Sequence, residues 1–262
     1  MAEVLRSLRL GEVGDPAPVC ARALGAAGVA LSLLVGAERT AEPLWYHPDL
    51  SARFEELQFT LGEGPGPDAV RTGSPVLEPD LARVRPERWP ALLPAARELG
   101  VRGVCCFPLG IGAIRVGVLT LLCGGERRLS RQQYTDAAAL TAVLTGALLN
   151  RDRRGGDGSE DGDGDGDGDG DEDGDGDVPG LGAALESPSV LRRAVVHQAT
   201  GMISAQLDVP IQEALLRLRA HAYSSERPLG EIAADVVARR LRFNDDFDDD
   251  VSGPYSPDGG KG

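Results

Sequence analysis

Apolar positions along the chain fall into two regimes, short β-branched runs bounded by glycine and proline, and longer stretches with a helical repeat. Asp15-Pro16 supplies a cap followed by proline at the first helical position, which predicts a short helix through Ala23-Leu24. Val29 to Val35 (VALSLLV) has the composition of a buried strand, and Asp49 to Leu57 has a helical pattern. From Leu61 to Val76 four glycines and three prolines fall within 16 residues, so tight turns are expected there, ahead of a short strand at Val76. Glu87 to Leu99 reads as a helix. Val101 to Leu109 and Ala113 to Leu122 read as two strands joined by a glycine-containing turn, the pattern of a β-hairpin at a sheet centre. Ser130-x-x-Gln133 is a capping box, and the helix of about 20 residues that it opens keeps Ala137, Thr141, Leu144 and Leu148 at helical spacing.

Beyond residue 186 only helices are predicted. Ser187-Pro188 starts the first, in which Leu191, Ala194, Val195, Met202 and Ala205 form one apolar stripe and Val196, Ala199, Ile203 and Leu207 an adjacent one. The remaining face carries Arg193, His197, Thr200 and Ser204, with Gly201 on its border. Pro210 opens a second helix with a core stripe of Ile211, Ala214, Leu215, Leu218 and Ala222; Arg217 and His221 lie off it, and Leu216 and Tyr223 on another side. Pro228 precedes a third, buried through Ile232, Ala233, Val236, Val237 and Leu241. So small a bundle with such wide apolar faces is expected to pair with a second copy or dock on a partner.

Charge divides the chain further. The net charge is −14, but residues 155–180 hold 12 acids and no base, so the rest is nearly neutral. That Asp-Gly tract satisfies the EF-hand loop pattern through Asp161, Asp163, Asp165 and Glu172, yet its flanks cannot form the two helices that hold such a loop, and any alternating Asp-Gly run fits once a glutamate falls in phase. A flexible linker is the expectation, with no metal site. The predicted organisation is an N-terminal segment (1–14), an α/β-patterned domain (15–150), a disordered acidic linker (151–186), a helical domain (187–243) and a disordered acidic tail (244–262). The fold class expected is α+β: an antiparallel sheet flanked by helices, followed by an all-α three-helix bundle.

The chain shows no signal-like apolar run near Met1 and no stretch of 18 apolar residues, so a cytoplasmic protein without membrane contact is expected. Cys20, Cys105, Cys106 and Cys123 lack CxxC spacing and read as reduced core thiols, Cys105 and Cys106 pointing to opposite faces of their strand. Three histidines on separate elements, and the absence of HExxH, GxSxG or phosphate-loop signatures, leave no catalytic constellation, so no enzyme and no cofactor are expected. The pair Glu55-Glu56 reads as a solvated helix face, and His47, the one candidate for a haem ligand, as a solvated loop residue.

With its glycine-proline turn followed by AVRTGSPV, its VRGVCCFPL strand running into VGVLTLL and its long closing helix, the region from about 20 to 150 resembles a GAF domain, a small-molecule-sensing module. No residue selects a ligand, and a domain that only dimerises through its terminal helices remains open. Residues 190–237 are similar to the ANTAR domain, the RNA-binding three-helix module of bacterial transcription antiterminators. The similarity rests on Arg193 and Val196, Gln198-Ala199, Gly201, Glu213-Ala214, Leu218-Arg219, Leu229, Ile232-Ala233 and Val236. It departs at Thr200, where the family pattern has lysine.

The resemblance implies an antitermination regulator that binds a leader RNA with two small hairpins as a homodimer, under control of an unknown small molecule or of dimerisation alone. Its candidate RNA contacts are Arg193, His197, Gln198, Thr200, Gly201, Ser204 and Arg217. Residues 186–243 carry eight arginines against six acids, a weak footprint for duplex binding. Two other readings stay open: a DNA-binding helix-turn-helix formed by the first two helices, and a protein-interaction module without a nucleic-acid role.

Overall fold

The computed structural model describes residues 2–9, 15–35, 40–124, 129–155 and 188–244. The Asp-Gly tract and the acidic tail lie outside the described residues. The chain divides into two compact units, Met1–Val190 and Leu191–Gly262.

The first unit is built on a five-stranded antiparallel sheet in the order β2-β1-β5-β4-β3, formed by β1 (Gly28–Val35), β2 (Thr40–His47), β3 (Val76–Glu78), β4 (Gly103–Ile111) and β5 (Ile114–Cys123). Its helices are α1 (Ala2–Arg9), α2 (Pro16–Leu24), α3 (Asp49–Leu61), α4 (Pro65–Thr72), α5 (Leu92–Leu99) and α6 (Arg131–Gly155). Strand alternation sorts the core into two layers. Val29, Leu31, Cys105, Phe107, Leu119 and Leu121 pack with Ala17 and Cys20 of α2 and with Ala137, Leu140 and Leu144 of α6. Val104, Cys106, Val118 and Leu122 point the other way, onto Phe54 of α3, Ala69 of α4 and Leu92 and Ala96 of α5. Cys105 and Cys106 therefore occupy opposite layers, as the strand period requires.

The caps form as their sequences dictate. Asp15 accepts from the Ala17 amide at 3.1 Å, and α2 ends on Gly25 in the left-handed region. Ser130 and Gln133 exchange hydrogen bonds, the Gln133 amide to Ser130 Oγ at 3.2 Å and the Ser130 amide to Gln133 Oε1 at 3.0 Å. Gln133 Nε2 also donates to the Leu24 carbonyl at 2.9 Å, which ties α6 to the end of α2.

Three elements depart from the sequence expectation. β2 is a strand that the pattern TAEPLWYH conceals; it lies at the sheet edge, where Pro43 removes no ladder bond that the fold needs, and the register with β1 shifts beside it. The glycine-proline run contains α4, because Pro65 and Pro67 both fall in its first turn, where no intrahelical N–H is required. Gly64 caps it at φ 139°, a conformation open to glycine. The helix expected from Glu87 instead splits at Trp89-Pro90 into a 3-10 turn (Pro86–Arg88) and α5.

The second unit consists of α7 (Pro188–Leu207), α8 (Ile211–Ser224) and α9 (Leu229–Val237). Val196, Ala199, Ile203 and Leu207 of α7, Ala214, Leu215, Leu218 and Ala222 of α8 and Leu229, Ile232, Ala233 and Val236 of α9 are all buried. Phe243, beyond α9, is buried as well: its ring meets His221 edge-on at 5.4 Å, and its amide donates to Gln206 Oε1 at 3.3 Å. Ile211, expected in the core, is exposed in the first turn of α8, and α9 stops before Leu241, which is only half-buried.

Candidate nucleic-acid interface

Two helices position every candidate contact, α7 six of them and α8 Arg217. On α7 the buried arc runs from Arg193 and Thr200 through Val196 and Ile203 to Ala199, so the opposite, solvent-facing row is Ala194, Gln198, Gly201 and Ala205. Val195 and Met202, half-buried, flank that row. A Cβ at Gly201 would meet open space, which makes this row low and smooth.

The polar stripe of the sequence reading does not stand clear of the core. Arg193 is 2% exposed and Thr200 1%, so neither presents its side chain to solvent, and both are corrected from surface contacts to interior residues. Thr200 Oγ1 donates to the Val196 carbonyl one turn back at 2.8 Å, satisfying itself within the helix. The reason is rotational: a four-residue polar stripe bordering an apolar stripe shares its edge, and the bundle buries that edge. Ser204, half-buried, donates to the Val209 carbonyl at 2.6 Å and closes the C-terminus of α7, where Asp208 takes a positive φ of 52°. His197 is half-buried, and Gln198 and Gly201 are exposed. Arg217 of α8 reaches Glu213 one turn earlier at 2.7 Å.

Two features of the surface were not in the sequence-derived set. Leu216 and Tyr223, seven residues apart on α8, are 64% and 70% exposed, which makes Tyr223 the exposed aromatic ring of this unit among the described residues. Their place off the core stripe was the available signal. Arg239, Arg240 and Arg242 are all exposed just beyond α9, with Arg239 at φ 57°. Arg240 and Arg227 both engage Asp235, at 2.6 and 2.8 Å, and these two guanidinium hydrogen bonds, Arg227's first, hold the Asp235 carboxyl below its usual range. Among the described residues, Arg239 and Arg242 are the cations left to meet a polyanion near this helix end.

In the first unit Glu55 overturns its expected exposure. It is 5% exposed, accepts from Ser32 Oγ of β1 at 2.8 Å and from Gln58 Nε2 at 3.0 Å, while Gln58 Oε1 accepts from the Gly66 amide at 2.8 Å. This buried polar chain joins sheet, α3 and α4; its neighbour Glu56 is exposed. His47 is exposed at the end of β2. Between β3, β4 and the start of α6 lies an open cleft of about 880 Å³, walled by Leu77, Glu78, Arg83, Cys105, Leu129 and Tyr134. Among the described residues no cluster of three or more His, Cys, Asp or Glu side chains could hold a metal ion, and no helix is long and apolar enough to cross a membrane.

The architecture is thus a helix-flanked antiparallel sheet in one unit and a three-helix bundle in the other. Residues 189–237, all but the margins of the bundle, match the ANTAR domain, so the chain carries an ANTAR domain in its second unit. For the first unit, similar solved structures include the GAF domain of a phosphoenolpyruvate-protein phosphotransferase from Acinetobacter, 12% identical, with 58% of this chain and 92% of that one covered and a TM-score of 0.45. The corresponding GAF domain from Coxiella burnetii is 15% identical over 59% and 96% of the two chains, with a TM-score of 0.44. Free methionine-R-sulfoxide reductase from Neisseria meningitidis, in complex with its substrate, is 17% identical over 59% and 90%, at 0.43. No curated protein matches the chain.

Proposed function

We propose that this protein is a transcription regulator that acts by antitermination, its ANTAR domain binding hairpin RNA and its first unit sensing a small molecule or holding two copies together. The observation that carries the reading is the match of residues 189–237 to the ANTAR domain. The surface of the bundle supports it. Recognition of unstacked loop bases depends on close approach, hydrogen bonds and stacking more than on dense positive charge. Gln198 and the bare Gly201 offer the first two on α7, and Tyr223 offers a stacking ring on α8. His197, at the margin, offers a ring nitrogen for hydrogen bonding, and Arg217, Arg239 and Arg242 supply charge for phosphate contacts. Arg193, Thr200 and Ser204 act by holding α7 in place. A homodimer presents two bundles to the two loops of a tandem-hairpin leader, which raises affinity by effective concentration.

The test is a titration of the intact protein against a tandem-hairpin RNA, the same RNA with scrambled loops, and a DNA duplex. Binding to the first alone is expected; equal affinity for all three would overturn specific recognition. Sequencing RNA that copurifies with the protein identifies the transcripts.

A further inference from the structure

Cys105 and Cys123 sit diagonally across the β4–β5 ladder on the same face of the sheet, and their sulfurs are 3.5 Å apart. Both are free thiols. Cys105 is buried but forms part of the wall of the open cleft beside β3, and Cys123, at the end of β5, is only half-buried. No other cysteine is so placed: Cys20, on α2, is buried in the same core, and Cys106 points into the opposite layer, where it contacts Thr120 Oγ1 at 3.5 Å. From this geometry we infer that Cys105 and Cys123 are a dithiol that a small hydroperoxide converts to a disulfide, a covalent modification site on the wall of the cleft.

The thiols are already differentiated. The contact between the two sulfurs pushes the Cys105 thiol up, with burial adding to the rise, and lowers that of Cys123 against the effect of burial. Cys123 is therefore the better nucleophile and the more accessible one. Its thiolate attacks one peroxide oxygen; the S–O bond forms, the O–O bond breaks, and the departing alkoxide or hydroxide takes a proton. Cys105 Sγ attacks Cys123 Sγ, its proton leaves with the hydroxyl as water, the S–O bond breaks and the S–S bond forms. Two thiols and one hydroperoxide yield one disulfide, one alcohol or water, and one further water. The sulfurs lose the two electrons that the O–O bond gains. Closing the gap to a bond of about 2.05 Å needs a movement of about 1.5 Å, within reach of side-chain rotation at half-buried Cys123. A bulkier disulfide oxidant would be hindered at that site, whereas a hydroperoxide is small enough to enter.

The site has neighbours that feel the change. Tyr134 of α6 lines the same cleft and packs on Phe107, two residues from Cys105, with ring centroids 5.5 Å apart. Bond formation thus alters the wall on which the first turns of α6 rest.

The experiment treats the intact protein with hydrogen peroxide and maps cysteine states by peptide mass spectrometry. The expected product is a Cys105–Cys123 cross-linked peptide, reversible by dithiothreitol, formed roughly tenfold faster than any modification of Cys20 or Cys106. In Cys105→Ser, Cys123 should accumulate as a sulfenic acid that dimedone traps; in Cys123→Ser, Cys105 should stay unmodified. Circular dichroism of both variants checks folding, and the wild-type mapping stands whether or not they fold. Equal oxidation rates at all four cysteines, or a wild-type protein that forms no Cys105–Cys123 bond while a reference thiol is consumed, would overturn the proposal.

Discussion

Ser32 and Gln58 both direct donors at Glu55, so truncating that one carboxylate strands two buried polar groups in the sheet–helix layer. Glu55→Ala is expected to lower unfolding stability by about 2–4 kcal/mol, measured by chemical denaturation, while Glu56→Ala, one residue on and exposed, should change it by less than about 0.5 kcal/mol. Asp235 gives the pH counterpart. Its folded-state pKa lies below the ordinary aspartate value, so its contribution to the fold of α9 is present above the unfolded pKa and fades as pH falls through the folded one. A carboxyl-resonance NMR titration should place the Asp235 midpoint below 3.8 and bring it back toward that value in Arg227→Ala. Neither role could be read from residue type. A glutamate in a helical pattern reads as solvated because most are, and its burial depends on Ser32, 23 residues away in sequence, arriving opposite it.

At the scale of the helix, α7 and α8 explain why the candidate interface was only partly legible. Periodicity correctly separated Val196, Ala199, Ile203 and Leu207 from their neighbours, but two apolar stripes side by side do not say which faces inward. The second stripe is buried together with the edge holding Arg193 and Thr200, and Ala194 and Ala205 stay outside. Thr200→Val, which keeps the buried shape and removes a hydroxyl already spent on Val196, should leave RNA affinity within about twofold; a loss approaching the 1–3 kcal/mol of a stacking contact would return Thr200 to the interface. Tyr223→Ala should weaken hairpin-RNA binding by about 1–3 kcal/mol with unchanged helicity, as read by titration and circular dichroism. Ile203→Ala, by contrast, should cost about 2–5 kcal/mol of bundle stability.

For the molecule as a whole, charge is distributed against its expected partner. The Asp-Gly tract alone holds 12 acids, whereas the bundle region is positive by only two charges, so electrostatics cannot supply most of an RNA affinity. The dependence of log affinity on log salt should accordingly be shallow, with a slope of about −1 to −3. A slope several times steeper would point to duplex backbone binding. Calcium should produce no micromolar-range binding heat in calorimetry of the intact chain, because any alternating Asp-Gly run fits the EF-hand loop pattern once a glutamate falls in phase.

Local chemistry was sufficient for whatever depends on neighbours in the chain: caps at Asp15 and Ser130, the β4–β5 hairpin, the three helices after residue 186 and the division into two kinds of unit. Those features arise from hydrogen bonds and side-chain periods spanning a few residues. The fate of groups on a boundary was decided only when distant elements packed. Pro43 became tolerable because β2 lies at an edge, Arg193 and Thr200 went inside because the apolar stripe they border is the buried one, and Cys105 met Cys123 because antiparallel pairing brings residues 18 apart onto one face. A sequence period gives a residue its direction relative to its own element, whereas solvent and partners are set by the elements that pack against it.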